Sequence, residues 1–322
     1  MILQILETME KKPLGNTGIQ VAPLAFGGNV FGWTIDQSTS FKLLDSFFSA
    51  GYNFIDSADI YSRWKEGNKG GESETIIGNW MNLRKNRSSV ILATKVGGDM
   101  GAGKSLSKKY ILQSVNDSLQ RLQTDYIDLY QSHFDDLTTP VEETIEAFAH
   151  LQNEGKIRSF GCSNFSLQRI KASLDYCKAN HLPSYQTFQP EYNLYQRSEF
   201  EEGYKDYCLE NNISVICYYA LASGFLTGKY RGEKDLSKSI RGGGIKKYLN
   251  PRGFRILDSL DKIAKTYKVS PATIALSWLQ SKDGVIPIAS ATTLEQLKDL
   301  TDSGNIKLDP EYVELLSSAS SY

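Results

Sequence analysis

Short apolar runs bounded by polar or glycine positions recur along the chain, and they alternate with longer stretches whose apolar residues return every three or four positions. Runs of the first kind read as buried strands, and stretches of the second kind as helices packed on them. Strands are predicted over 24–27, 54–56, 90–95, 126–131, 157–161, 187–189, 213–218 and 284–289. Helices are predicted over 39–50, 72–81, 108–122, 141–153, 167–180, 200–211 and 309–319, and Ser270 and Pro271 stand as N-cap and first residue of another. The first helix carries Phe41, Leu44, Phe47 and Phe48 on one face, and the fourth carries Val141, Ile145, Phe148 and Leu151, with Gly155 just past its end. Ahead of the first strand, 12–23 holds the turn Gly15-Asn16-Thr17-Gly18 between two extended pieces, a hairpin that would plug the bottom of a barrel.

Eight strand and helix pairs fill the length, and no linker divides them. The count favours an α/β fold of the closed (β/α)8 TIM-barrel type over an open doubly wound sheet, as one domain over 1–322 with 1–8 as a loose extension. In such barrels ligands are held by the loops at the C-terminal ends of the strands.

Composition narrows the class. Of 322 residues, 40% are hydrophobic and the formal net charge is -1, which gives no strong field to attract nucleic acid or an acidic membrane. No apolar run has the length of a membrane span, and the start, MILQILETMEKK, lacks the basic head and long apolar centre of an export signal, so the cytoplasm is the expected location. Cys162, Cys177, Cys208 and Cys217 follow no disulfide or metal-ligand spacing, and with only three histidines no metal site is expected.

Polar groups at the ends of successive strands suggest the chemistry. Asp56 and Tyr61 belong to GYNFIDSADIY, Lys95 ends ILATKV, and His133 ends YIDLYQSH. If the strands are parallel neighbours, these four side chains converge on one mouth. A tyrosine hydroxyl is a poor acid at neutral pH, but an adjacent ammonium favours the phenolate and eases release of the proton. Asp56 would hold that lysine charged and in place, and His133 could donate a hydrogen bond to a carbonyl oxygen. Taken singly, each has an ordinary explanation as a strand end, a cap or a structural histidine; their order and spacing single them out.

With these residues in place, the chain resembles the aldo-keto reductases over nearly its whole length, from KPLGNTGIQVAPLAFGG to PIASATTLEQLKDL. The most specific strings are GYNFIDSADIY, SLQRLQTDYIDLYQSH, GKIRSFGCSNF and FQPEYNLYQR. The resemblance implies Asp56, Tyr61, Lys95 and His133 as a catalytic tetrad, with Tyr61 as general acid in NADPH-dependent reduction of a small-molecule carbonyl substrate. It implies that Ser163, Asn164 and Gln189 hold the nicotinamide carboxamide, which suits amides and a hydroxyl that both donate and accept. It places the nicotinamide ring on Tyr218. Further cofactor contacts are implied at Gly28, Asn29, Asp56, Tyr219, Ala220, Leu221 and Ser223. Lys229 and Arg241, in the long irregular segment 222–251, would approach the pyrophosphate, and Ser290, Thr292 and Gln296 the adenosine end. Thr292 stands where arginine is common, so the grip on a 2′-phosphate is weakened and NADH stays open beside NADPH. Phe31, Trp33, Trp64 and Tyr192 are candidates for the pocket wall. Oligomeric state is not implied.

Three other readings compete. GDMGAGKS over 98–105 formally matches a phosphate-binding GxxxxGK[ST] loop, but the strand before it ends at Lys95 and the next helix opens near Ser107 rather than at the Lys-Ser. The basic, glycine-rich RGGGIKKYLNPRGFR is internal, short and unrepeated, unlike a nucleic-acid-binding tail. Similar barrels serve as redox-sensing partners of potassium channels, so an NADP-binding regulatory subunit with little turnover is the alternative to an enzyme.

Overall fold

The computed structural model describes residues 9–101, 103–239 and 242–322. A two-stranded antiparallel hairpin, β1 (Lys12–Pro13) and β2 (Gln20–Val21), precedes a closed barrel of eight parallel strands. These are β3 (Ala25–Gly27), β4 (Phe54–Asp56), β5 (Ile91–Val96), β6 (Ile127–Ser132), β7 (Ile157–Ser163), β8 (Thr187–Gln189), β9 (Ser214–Cys217) and β10 (Val285–Ala289). They pair in chain order, and β10 pairs with β3 to close the ring. The fold is therefore the (β/α)8 barrel expected, with every predicted strand present. The loose extension proposed for 1–8 lies outside the described residues.

Around the ring run α1 (Gln37–Ser49), α2 (Glu72–Arg84), α3 (Lys108–Leu122), α4 (Val141–Asn153), α5 (Leu167–Ala179), α6 (Ser198–Gly203), α7 (Lys205–Glu210), α8 (Pro251–Tyr267), α9 (Pro271–Gln280), α10 (Leu294–Asp302) and α11 (Pro310–Ala319). Side-chain caps open several of them. Asp36 accepts from the amide of Thr39, Ser166 from that of Arg169, Ser270 from that of Thr273 and Thr293 from that of Gln296, each such cap contributing about 1 kcal/mol.

Two differences from the sequence expectation stand out. The helix expected over 200–211 is broken at Tyr204, whose ring stacks on Phe188 at 4.8 Å and whose hydroxyl donates to the carbonyl of Phe165. The segment 222–251 is not wholly irregular. Three 3-10 helices, Ala222–Thr227, Glu233–Lys238 and Gly242–Tyr248, lead into α8, which Asn250 caps and Pro251 starts.

The core has two layers. Between strands and helices lie Phe26, Phe47, Trp80, Phe148 and Trp278, all buried. Inside the ring, Ala25, Phe54, Ala93, Leu129, Ile216 and Ile286 pack with Leu14, Ile19 and Val21 of the hairpin, which thus plugs the floor. Lys12 pins the plug by donating to the carbonyl oxygens of Gln280 at 2.6 Å and Val285 at 2.8 Å. With the floor filled, the other end of the ring is left to hold a ligand.

Candidate active site

Strand register brings the polar ends together. Gly27 pairs with Asp56, Lys95 with Gln131, and Ser163 with Gln189, so each stands at the C-terminal end of its strand. Tyr61 follows β4 in a loop, His133 follows β6, Asn164 follows β7, and Tyr218 follows β9.

Lys95 lies at the centre, with its side chain fully buried. All three ammonium donors are used: Nζ reaches Asp56 Oδ2 at 2.7 Å, the carbonyl of Ser57 at 2.7 Å and the Tyr61 hydroxyl at 2.9 Å. The Tyr61 hydroxyl in turn donates to Asp56 Oδ2 at 3.2 Å. Gln189 Nε2 donates to the other carboxylate oxygen at 2.9 Å, so both oxygens of Asp56 are engaged. Burial lowers the pKa of Lys95, and Asp56 opposes the shift.

The electrostatics of Tyr61 differ from the sequence expectation. Lys95 touches the hydroxyl, yet burial and the negative charge of Asp56 outweigh it and raise the phenol's pKa well above its ordinary value. The shift is opposite in direction to the one that an adjacent ammonium alone would give. The reason is burial, which a sequence does not display.

His133 packs edge-on to Tyr61 with ring centroids 5.9 Å apart and stacks on Phe134 at 4.5 Å. Burial, with Lys95 and Lys104 behind it, lowers its pKa well below the ordinary value, so the ring is neutral. Its Nδ1 is buried with no hydrogen-bond partner among the described residues.

Behind this group sits a carboxylate that sequence reasoning missed. Asp59 is 2% exposed, its Oδ1 accepts from the amide of Ile60, and its own amide donates to the carbonyl of Lys95. Burial, then the charge of Glu74, push its pKa up to about 8. Glu74 is held by Arg121 at 2.7 Å and by Thr94 at 2.6 Å. Nothing in the string ADIY marks Asp59 as buried; its position between two expected site residues was the one available signal.

The residues expected to hold a cofactor lie around the same mouth. Ser163 Oγ donates to the carbonyl of Gln189, Asn164 Nδ2 donates to the carbonyl of His133, and the Tyr218 hydroxyl donates to Asn164 Oδ1 at 3.0 Å. The Tyr218 ring is half-buried, and a cleft lined by Asn164, Phe165, Pro190, Glu191 and Tyr218 opens beside it. Tyr219, Ala220, Leu221 and Ser223 follow in the loop after β9, with Lys229 beyond them over the ring of Tyr230. Across the ring, Ser290 Oγ donates to Asn29 Oδ1 and to the carbonyl of Gly27. The amide and hydroxyl of Thr292 both meet Gln296 Oε1. Arg241 lies outside the described residues.

Gly28 stands in the first loop, where a Cβ would lie 2.8 Å from Ser73 Oγ. Two of the pocket-wall expectations need correction. Phe31 is a core residue stacked on Phe26, and Tyr192 is buried with its hydroxyl on Glu201, so neither lines a pocket. Trp33 and Trp64 do stand near Tyr61: their rings meet at 5.5 Å, and Trp64 meets Tyr61 at 6.0 Å. The phosphate-loop match is filled from within, because Asp99 Oδ1 accepts the amides of Gly101 and Gly103, and α3 begins only at Lys108 behind Ser107. Among the described residues no group of side chains could hold a metal ion, and no helix is long and apolar enough to cross a membrane. All four cysteines are free and buried.

A family model described as the aldo/keto reductase family matches residues 23–321. The chain is 34% identical over 316 residues to aldo-keto reductase YhdN of Bacillus subtilis, covering 94% of this chain and 91% of that protein. It is 32% identical over 299 residues to a probable voltage-gated potassium channel subunit beta of Oryza sativa subsp. japonica, covering 89% and 88%. It is 30% identical over 321 residues to norsolorinic acid reductase of Aspergillus flavus, covering 94% and 79%.

Proposed function

The chain belongs to the aldo/keto reductase family of oxidoreductases, and from that premise we propose that it reduces aldehydes or ketones to alcohols with Tyr61 as the proton donor. The observation that carries the proposal is the contact set of Lys95, whose ammonium joins Asp56 to the Tyr61 hydroxyl at the open end of the barrel.

The donor set around the mouth fits a nicotinamide dinucleotide. Ser163, Asn164 and Gln189 offer a hydroxyl and two amides, which match a carboxamide's mixed donors and acceptors, and the half-buried Tyr218 ring offers a stacking face beside them. Lys229 supplies a cation for the pyrophosphate, and Ser290, Thr292 and Gln296 face the adenosine end. NADPH, when bound, supplies the hydride. The chain does the rest: Tyr61 gives its proton to the carbonyl oxygen, Lys95 stabilises the phenolate left behind, and Asp56 holds Lys95 in place. A neutral His133 beside Tyr61 is suited to orient that oxygen by a hydrogen bond without bringing a competing charge. The threonine at 292 weakens the case for NADPH over NADH, since a neutral hydroxyl cannot replace a guanidinium on a 2′-phosphate.

A second reading is favoured by the channel-subunit relatives: a dinucleotide-binding regulatory subunit with little turnover. Following the absorbance of NADPH with a panel of aldehydes and ketones separates the two. Sustained oxidation supports the reductase; tight dinucleotide binding without turnover of any carbonyl would overturn it in favour of the regulatory subunit.

A further inference from the structure

The loop after β9 holds its backbone in a conformation that its residues do not favour. Tyr219, Ala222 and Ser223 have φ of +52°, +47° and +57°, and Gly224 follows at +95°. A side chain on a left-handed residue crowds the following carbonyl, and alanine has no polar group to offset this with a local hydrogen bond. Elsewhere single residues of this kind close helices, as Lys85, Gln123 and Lys268 do. The run over 219–224 closes none. It carries Tyr219, Ala220, Leu221 and Ser223, which are expected to meet the dinucleotide, so the strained turn and the proposed cofactor site coincide.

A brace comes from the loop after β8. Asn193 is fully buried, and its Nδ2 donates to the carbonyl oxygen of Tyr219 at 3.1 Å. That oxygen also takes the amide of Ala222 at 2.6 Å, the bond that shuts the turn. Asn193 Oδ1 accepts the amides of Tyr195 at 2.8 Å and Gln196 at 2.9 Å, so one side chain folds its own loop and ties it to the next. These partners fix the amide's orientation, since two N–H donors require its oxygen and a carbonyl requires its nitrogen. The same fold of 193–196 sets the Tyr195 ring against Tyr248 at 4.7 Å, and Tyr248 stacks on Phe225, just past the left-handed run.

We propose that Asn193 is a positioning residue for the dinucleotide: its amide holds 219–224 in the left-handed turn before the cofactor arrives. Asn193 acts through the Tyr219 carbonyl and not on a reacting group. A loop already set in the shape that binds loses less entropy when its ligand docks, so the brace raises affinity without a contact of its own. That role rests on the dinucleotide reading above.

The test titrates NADPH against the full chain by quenching of protein fluorescence, with the wild type, Asn193→Ser, and Asn193→Ser combined with Ala222→Gly. Serine is neutral and can still accept an amide of its own turn, but its hydroxyl is too short to reach Tyr219. If the braced turn falls to about a tenth of the population, Kd and the KM for NADPH rise about tenfold, while kcat at saturating NADPH is not lowered. Adding Ala222→Gly, which takes the side chain off a left-handed position, should recover part of the lost affinity. A Kd unchanged in Asn193→Ser, a loss confined to kcat, or no recovery in the double variant overturns the brace and leaves the dinucleotide reading intact. One arm needs no variant: in the wild type without NADPH, the bonded amides of Ala222, Gly224 and Leu226 should exchange slowly with deuterium, and exchange at the rate of open chain overturns the brace as well. A wild-type chain that binds no dinucleotide overturns the cofactor reading and this role with it.

Discussion

The ammonium of Lys95 and the carboxylate of Asp56 meet at 2.7 Å with both side chains withdrawn from solvent. A buried pair of this kind is costly to break, because removing one partner leaves the other charged and uncompensated, at about 3–5 kcal/mol. Lys95→Met is therefore expected to lower the denaturant midpoint strongly as well as to abolish carbonyl reduction. Adding Asp56→Asn should recover part of the stability and none of the activity. An additive double variant would show that the pair contributes nothing jointly.

Tyr61→Phe removes one hydroxyl and leaves the Lys95 and Asp56 contact in place. It is expected to bind NADPH as the wild type does, read by quenching of protein fluorescence, and to reduce aldehydes at least about a hundredfold more slowly, the scale of a lost general acid. Wild-type turnover by the variant would remove Tyr61 from the chemistry.

The raised pKa of Asp59, about 8, makes stability depend on pH. The unfolded chain releases this proton near pH 4, and the folded chain keeps it until about pH 8. Folding therefore binds a proton across that window, and the contribution of Asp59 is full below it and falls as pH rises through it. Asp59→Asn keeps an acceptor for the Ile60 amide and cannot ionise. The excess of its denaturant midpoint over that of the wild type should grow steadily from pH 5 to pH 8; a difference that does not change with pH would contradict the assignment.

Gly78 lies inside α2, where alanine would ordinarily add about 1 kcal/mol of helix stability. Here a Cβ would press on the carbonyl oxygen of Arg121 and come within 2.7 Å of the backbone of Leu122 on α3. Backbone cannot swing aside as a side chain can, so overpacking outweighs propensity. Gly78→Ala is expected to destabilise by about 1–3 kcal/mol, measured by thermal or denaturant unfolding.

Thr292→Arg tests the adenosine end. If Thr292 faces the 2′-position, a guanidinium there should tighten NADPH about tenfold and leave NADH little changed, as measured by fluorescence titration with each dinucleotide. Equal effects on both would place residue 292 elsewhere.

The barrel was legible because each strand is a short apolar run ending in a polar residue, and a fold of repeated units gives that signal eight times over. The convergence of Asp56, Tyr61 and Lys95 was legible for the same reason, since parallel neighbours must release their ends on one side. Burial was not. It separates Trp64, which is exposed, from Tyr192, which is core, and it reverses the shift expected for Tyr61 and isolates Asp59. The helix α8 has no counterpart in the sequence reading, whose irregular segment ends at Pro251, just where Asn250 and Pro251 open that helix.

Lys12 reaches carbonyl oxygens 268 and 273 positions further along the chain, and the first barrel strand borders the last. A ribosome must therefore release most of the polypeptide before its opening segment finds its partners. Until then the incomplete ring has two unsheltered edges, and a nascent chain stalled short of β10 would be a target for chaperones and proteases instead of a smaller working protein.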